Sequence, residues 1–323
     1  MRNCYLSVLF VFLSISLSAQ QLAQYSLYNM NPYVFNSAYA GMESTLVATG
    51  AYRQQWSGLK GAPVTQHINA HLPIYSINSG IGLRVENDVI GAHNGSHAVL
   101  SYSYHLQVGR LSTLSVGLGA GYTQYVLDGA KLRAPQGSYE NPDFSHNDQV
   151  LPEGKERVGA PMLEAGVFWQ GKKLEIAVSV QPVYASKLTT GTGGFGIKPI
   201  QHGFFYTAYS HSLTDNLTLK PSILVKTDLI KTQAEATLLA RWREMIFAGV
   251  GFRGFSSASK DAAVLIGGLK LNDKTILLYA FDVPLSALSS ANRGSHELLL
   301  RYSLNRPIGV GKLPPVVYNP RFF

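Results

Sequence analysis

The chain has 323 residues, a formal charge of +8 and only 14% charged residues, with 31 glycines and 18 tyrosines. So few charges make a poor water-facing surface, and the body holds no apolar run of about 18 residues that could span a bilayer as a helix. What remains is a barrel closed on itself in lipid; dispersed Lys and Arg argue against a nucleic-acid partner, and the single cysteine, Cys4, excludes a disulfide framework.

Met1 and Arg2 precede an apolar stretch from Tyr5 to Leu17, and Ser18-Ala19-Gln20 supplies small residues for cleavage. Residues 1–19 are therefore expected to be a signal peptide, removed near Ala19 and directing the chain to the outer membrane. Cys4 lies before the apolar core, so lipoprotein acylation is not indicated. Residues 20–43 lack alternation and are rich in Tyr, Asn and Ala. They read as an ordered lead-in, periplasmic or lumenal.

Residues 44–304 divide into fourteen short alternating segments, predicting an all-β, up-and-down transmembrane barrel of about 14 strands. The clearest runs from Leu111 to Val126. Leu114, Val116, Leu118, Ala120 and Tyr122 alternate with Ser115, Gly117, Gly119, Gly121 and Thr123, so one face is apolar and the other small or polar. The glycines would leave a lumen wall bare of side chains, against which the lead-in or the tail could pack closely. Pro182 and Pro221 fall inside expected strands, where a missing donor calls for a bulge. Residues 305–323 form a Pro-rich tail, periplasmic or lumenal.

Alternation alone fits a soluble sandwich as well, but the connections separate the two. Those after even strands, such as Gln107 to Leu111 and Thr214-Asp215-Asn216, are short, as periplasmic turns should be. Those after odd strands, such as Asp128 to Ala160 and Ala185 to Ile200, are long, with Leu229 to Lys231 an exception.

Candidates for chemistry are weak. His67 and His71 share a strand face without a third metal ligand, and Gly191 to Gly196 matches a dinucleotide motif but opens no helix. His97, His105, His202, His211 and His296 have polar neighbours, yet no G-x-S-x-G occurs. Neither an enzyme nor a cofactor is expected. Glu235 with Arg241, and Arg84 with Glu86, read as lumen ion pairs. Tyr25, Tyr28, Tyr33, Phe35 and Tyr39, with Trp56, Tyr75, Tyr125, Trp169, Tyr184 and Trp242, suggest interfacial aromatic girdles.

Specific residues carry a resemblance. Gln24-Tyr25-Ser26, Asn31-Pro32, Asn36 and Ala38-Tyr39-Ala40-Gly41, then Tyr52-Arg53-Gln54-Gln55-Trp56 with Gly61-Ala62-Pro63, closely resemble the start of the PorP/SprF family of the Bacteroidetes type IX secretion system. Gly80 to Gly91, Gly294 to Tyr302 and Asn319-Pro320-Arg321-Phe322 are also similar to that family, although Asn319 stands where a Cys is frequent.

The resemblance implies a non-enzymatic outer-membrane barrel that supports export or surface anchoring of cargo such as adhesins, linked in some members to gliding motility. It also implies periplasmic partners, either secretion-ring or peptidoglycan-linked proteins, and the sorting domain of a secreted cargo. Tyr25, Asn31, Pro32, Asn36, Gly41, Tyr52, Arg53, Gln54, Trp56, Asn319, Pro320, Arg321 and Phe322 are the candidates for partner contact or plug, and Gly117, Gly119 and Gly121 for lumen wall. A general or substrate-specific pore is the alternative.

Overall fold

The computed structural model describes residues 23–140, 144–148, 151–184, 188–189, 196–197, 199–254 and 261–306. The expected signal peptide, the glycine run up to Phe195, and the tail beyond Arg306, including Asn319, Pro320, Arg321 and Phe322, lie outside these residues.

Period-two alternation becomes strand along the chain. The first half gives β1 (Val47–Gln54), β2 (Val64–Ile74), β3 (Ser79–Ile90), β4 (His93–Gln107), β5 (Thr113–Asp128), β6 (Lys155–Gln170) and β7 (Leu174–Tyr184). A small hairpin of β8 (Leu188–Thr189) and β9 (Gly196–Ile197) stands apart from the main sheet. The second half gives β10 (His202–Tyr209), β11 (His211–Thr214), β12 (Leu217–Thr227), β13 (Thr232–Trp242) and β14 (Ile246–Arg253). It ends with β15 (Ala262–Asn272), β16 (Thr275–Pro284) and β17 (Ser295–Ser303).

β10 and β11 are one strand interrupted at Ser210, so the main sheet is a barrel of fourteen antiparallel strands. β12 pairs with β10, and β17 closes on β1 in the register Arg53 to Glu297 and Val47 to Ser303. Closure leaves no free edge, which is why every backbone donor in lipid can be satisfied. Both prolines sit at breaks in the ladder. Pro182 lies where the β6/β7 register shifts between Leu163 and Ala165. Pro221 falls between the last β10 pair, Ala208 with Ser222, and the first β11 pair, His211 with Leu219.

The outward rows are apolar: Ile68 is 70% exposed and Leu118 65%. The inward rows hold Ser, Thr, Gly and charged residues, so the apolar face meets lipid, and among the described residues no packed layer of strands covers it. β6 begins at Lys155, earlier than the expected 161, and with β5 makes a hairpin of two 16-residue strands, each longer than the roughly 9–11 residues a tilted strand needs to cross. One end of the barrel carries short turns and the other mostly long loops. Gly91-Ala92 joins Leu229 to Lys231 as a short connection at the long-loop end.

Inside the barrel, residues 23–43 form three single 3-10 turns, η1 (Tyr28–Met30), η2 (Pro32–Val34) and η3 (Ser37–Tyr39). Pro32 opens η2 with its fixed φ, and the Asn36 side chain caps η3 by accepting from the Ala38 N–H at 2.9 Å. The sequence gives this segment no period because it meets wall on every side. Its buried rings, Tyr28, Tyr33, Phe35 and Tyr39, form the core with Phe168 of β6 and Phe204 and Tyr206 of β10. Leu27 and Met30 pack instead on the opposite wall, against Leu278 and Leu299. Each such side chain withdrawn from water contributes about 1.5–3 kcal/mol.

Candidate functional site: a plugged lumen

Single 3-10 turns leave most of their carbonyls without an internal partner. Wall side chains supply the donors. Ser115 Oγ donates to Ala38 O and Ser103 Oγ to Ala40 O, each at 2.6 Å, and Ser179 Oγ donates to Phe35 O at 2.5 Å. Arg84 donates to Tyr33 O and Val34 O at 3.1 and 2.7 Å, and Arg301 to Met30 O at 2.6 Å. A mobile segment would not engage every wall in this way; residues 23–43 are a plug.

Two close approaches explain glycines. A Cβ on Gly117 would lie 2.4 Å from the Ala38 backbone, and one on Gly119 would lie 2.8 Å from Ser37 Oγ. Gly121 differs, because its Cβ would meet Ala98 O and Val99 of the neighbouring β4 and not the plug. At the short-turn end Gly41 has φ +67° and packs on Gly80, where an added Cβ on either would fall 2.6–2.7 Å from the other's Cα. Only two glycines allow that crossing.

Among the described residues, four ion-pair groups line the lumen. Arg53 donates to Asp282 at 2.6 Å, to Glu297 at 3.1 Å and to Ser26 Oγ at 2.9 Å. Arg253 joins the same group, reaching Glu235 at 2.7 Å, Asp282 at 2.9 Å, Ser26 Oγ at 2.7 Å and Gln24 at 3.1 Å. Arg84 pairs with Glu164, whose other oxygen accepts from Ser37 Oγ. Lys220 pairs with Glu175, and Arg301 with Glu43 of the segment leading into β1. The expected partners are thus corrected. Glu235 faces Arg253 directly across β13 and β14, while Arg241 lies 3.8 Å from Glu244; Arg84 reaches across the lumen past its neighbour Glu86. Buried charges must be paired, and a plug that bonds to both members of a pair is held at fixed height.

The candidate residues divide accordingly. Tyr25, Asn31, Pro32, Asn36 and Gly41 are plug residues within the lumen. Tyr25 donates to Glu86 at 2.5 Å, and burial, with the Glu86 carboxylate beside it, pushes its phenol well above the ordinary tyrosine range. Asn31 hydrogen-bonds His67 at 2.9 Å, and Asn36 donates to Val167 O and Val178 O at 3.1 and 3.3 Å. Gly41 N–H donates to His71 Nδ1 at 3.3 Å. Arg53 points inward, Tyr52 outward to lipid, and Gln54 pairs with His296 across the seam. Trp56 stands just past the strand, its backbone N–H donating to Ser295 Oγ at 3.2 Å.

The aromatic girdle reading is corrected for the lead-in rings, which fill the lumen, and for Tyr125, which faces inward and packs on His93 and His97. Trp242 and Tyr184 are exposed near strand ends, as an interfacial ring requires. Glu43, Glu164, Asp282, Glu297 and Arg301 escaped the sequence reading as plug contacts, since nothing in local spacing tells which inward charge meets the lead-in.

Above the plug, toward the long loops, lies a cavity of about 320 Å³ with Tyr25, Tyr28 and Phe35 as its floor. Among the described residues no group of three or more metal-ligating side chains converges.

A closed barrel with an apolar outer face, short turns at one end and long loops at the other, its lumen filled by its own N-terminal segment, is a plugged outer-membrane protein. The chain belongs to the PorP/SprF family of type IX secretion system membrane proteins, whose model matches residues 17–302. It is accordingly an outer-membrane component of type IX secretion. No curated protein matches it. Among solved structures it is similar to the outer-membrane protein Omp33 of Acinetobacter baumannii, at 9% identity and TM-score 0.46, over 82% of this chain and 100% of that one. It is also similar to a Pseudomonas aeruginosa FadL homologue, at 12% identity and TM-score 0.44, over 83% and 91%. The translocator domain of the Neisseria meningitidis autotransporter NalP follows at 10% identity and TM-score 0.40, over 94% and 95%.

Proposed function

We propose that the barrel is a non-enzymatic, plugged anchor or accessory of the type IX apparatus, supporting export or surface retention of cargo such as adhesins, with a link to gliding motility. The observation that carries this reading is the fixation of residues 23–43 by buried hydrogen bonds on opposite walls, including Ser115 to Ala38 O and Arg301 to Met30 O. A barrel so filled is suited to holding partners and poorly suited to passing solutes. Its periplasmic contacts would be secretion-ring or peptidoglycan-linked proteins and a cargo sorting domain, reached from the short-turn end, where residues 305–306 leave the barrel beside Thr45. Deleting the gene should remove a set of cargo proteins from the cell surface and leave small-solute uptake unchanged; an unaltered surface proteome overturns the reading.

The cavity above the plug favours a second reading, a substrate-specific pore whose plug moves. Planar-bilayer recording separates the two. Steady large openings of the wild-type barrel support the pore, and silence that gives way to openings when residues 23–43 are deleted supports the plugged anchor.

A further inference from the structure

The chamber above the plug holds charges of both signs that, among the described residues, have no ion-pair partner within 4 Å, on nearly opposite walls. On β12, Lys226 lines the cavity and makes no hydrogen bond or ion pair among the described residues. Beside it, across β10, Gln181 is 7% exposed, lines the same cavity and has an Nε2 with no partner. The two are brought together by register, Gln181 opposite His202 and Lys226 opposite Phe204, two residues further along β10. Both groups are donors.

On β3, Glu86 accepts only the Tyr25 hydroxyl and Asp88 only the Thr65 hydroxyl, and neither has a cation within ion-pair distance among the described residues. That sets them apart from Glu164, Glu175, Glu235 and Asp282, each of which holds an Arg or Lys. Two residues apart on one strand face, Glu86 and Asp88 have Cα atoms about 7 Å apart, so one ammonium can reach both. Five strands separate β3 from β12 one way round and seven the other. Between these poles much of the lining is apolar, with Phe35 stacked on Phe204 at 6.1 Å and Met162 and Leu224 nearby, and its charged members, Arg84 with Glu164 and Arg253 with Glu235, are already paired.

A wall with donors outside any ion pair, facing a wall with carboxylates outside any ion pair across a largely apolar gap, matches one chemical class. We propose that the chamber binds a small zwitterion, an amino acid or short peptide with both ends free, its carboxylate on Lys226 and Gln181 and its ammonium on Glu86 and Asp88. The apolar lining receives the side chain, and Tyr25, bonded to Glu86, places the guest in direct contact with the plug. The site does not rest on the secretion role, because binding to purified barrel and loss of surface cargo are read separately.

The test is calorimetric titration of the full-length barrel in detergent with the dipeptide Ala-Phe, with N-acetyl-Ala-Phe and with Ala-Phe amide. Ala-Phe should bind, and capping either end should weaken it at least about tenfold, the scale of one lost charge-assisted contact. Lys226→Met should abolish the preference for the free acid over the amide, and Glu86→Gln with Asp88→Asn the preference for the free amine over the acetylated form. Heat-modifiable mobility on gels verifies that each variant is folded; where one is not, the capped series on the wild type decides alone. Absence of binding by Ala-Phe, equal binding of the capped forms, or discrimination unchanged in a folded Lys226→Met barrel overturns the proposal.

Discussion

Arg53 and Glu297 face each other across the seam where the first and last strands meet, and both bind Ser26 of the plug: the guanidinium donates to its hydroxyl at 2.9 Å, and the carboxylate accepts its backbone N–H at 2.7 Å. Arg53 is 1% exposed and also holds Asp282. Arg53→Met leaves two carboxylates short of a buried partner, and breaking such a pair costs about 3–5 kcal/mol. A lowered urea midpoint of the detergent-folded barrel, followed by tryptophan fluorescence, is the expected result.

Gly117 should be a lumen glycine on which the seating of the plug depends. Gly117→Val places atoms where the Ala38 backbone already lies, so the plug must move while the outward face of β5 is unaltered. Openings should then occur in bilayers where the wild type is silent. Gly267→Val, on the lipid-facing row of β15 where a Cβ meets nothing within 4 Å, is the control and should behave as wild type.

The plug should loosen in alkali. The docked state holds Tyr25 as a neutral phenol with a raised pKa, chiefly through burial and then through Glu86. The sign follows: a raised value in the docked state means this contribution is complete below the free value of about 10 and is lost as pH climbs through the raised value. Tyr25→Phe cannot ionise, so its openings should begin at higher pH than those of the wild type in a conductance series.

Leu118 lies mid-strand on the lipid face of β5. Leu118→Arg should destabilise folding into vesicles by about 2–4 kcal/mol, the penalty for a cation near the bilayer midplane. Leu118→Ile should fold with near-normal yield in the same urea titration.

Legibility in the sequence followed period. Strands repeat every two residues, so the faces of β5 could be read from Leu114 to Thr123, and the long and short connections fixed which end is which, apart from Gly91-Ala92 and the turn at Leu229. The plug has no period: its residues touch wall all round, and Tyr28, Tyr33 and Tyr39 in sequence look like any aromatic cluster. Ion-pair partners were illegible for a related reason. Arg84 and Glu164 are 80 residues apart and meet across the lumen, a distance no local rule spans. Tyr125 resembles an interfacial ring by its place near a strand end, and only the parity of its row, shared with Thr123, turns it inward.

The plug's direction has a consequence for assembly. Ala23 lies with Ile90 and His93 at the long-loop end, while Gly41 lies against Gly80 and the β2 carbonyl of Leu72 at the other. A segment that runs from one end to the other ties closure of the wall to the plug, because the residues that zip β1 to β17, Arg53 and Glu297, are the ones that grip Ser26: the segment acts as the mandrel on which the cylinder is rolled.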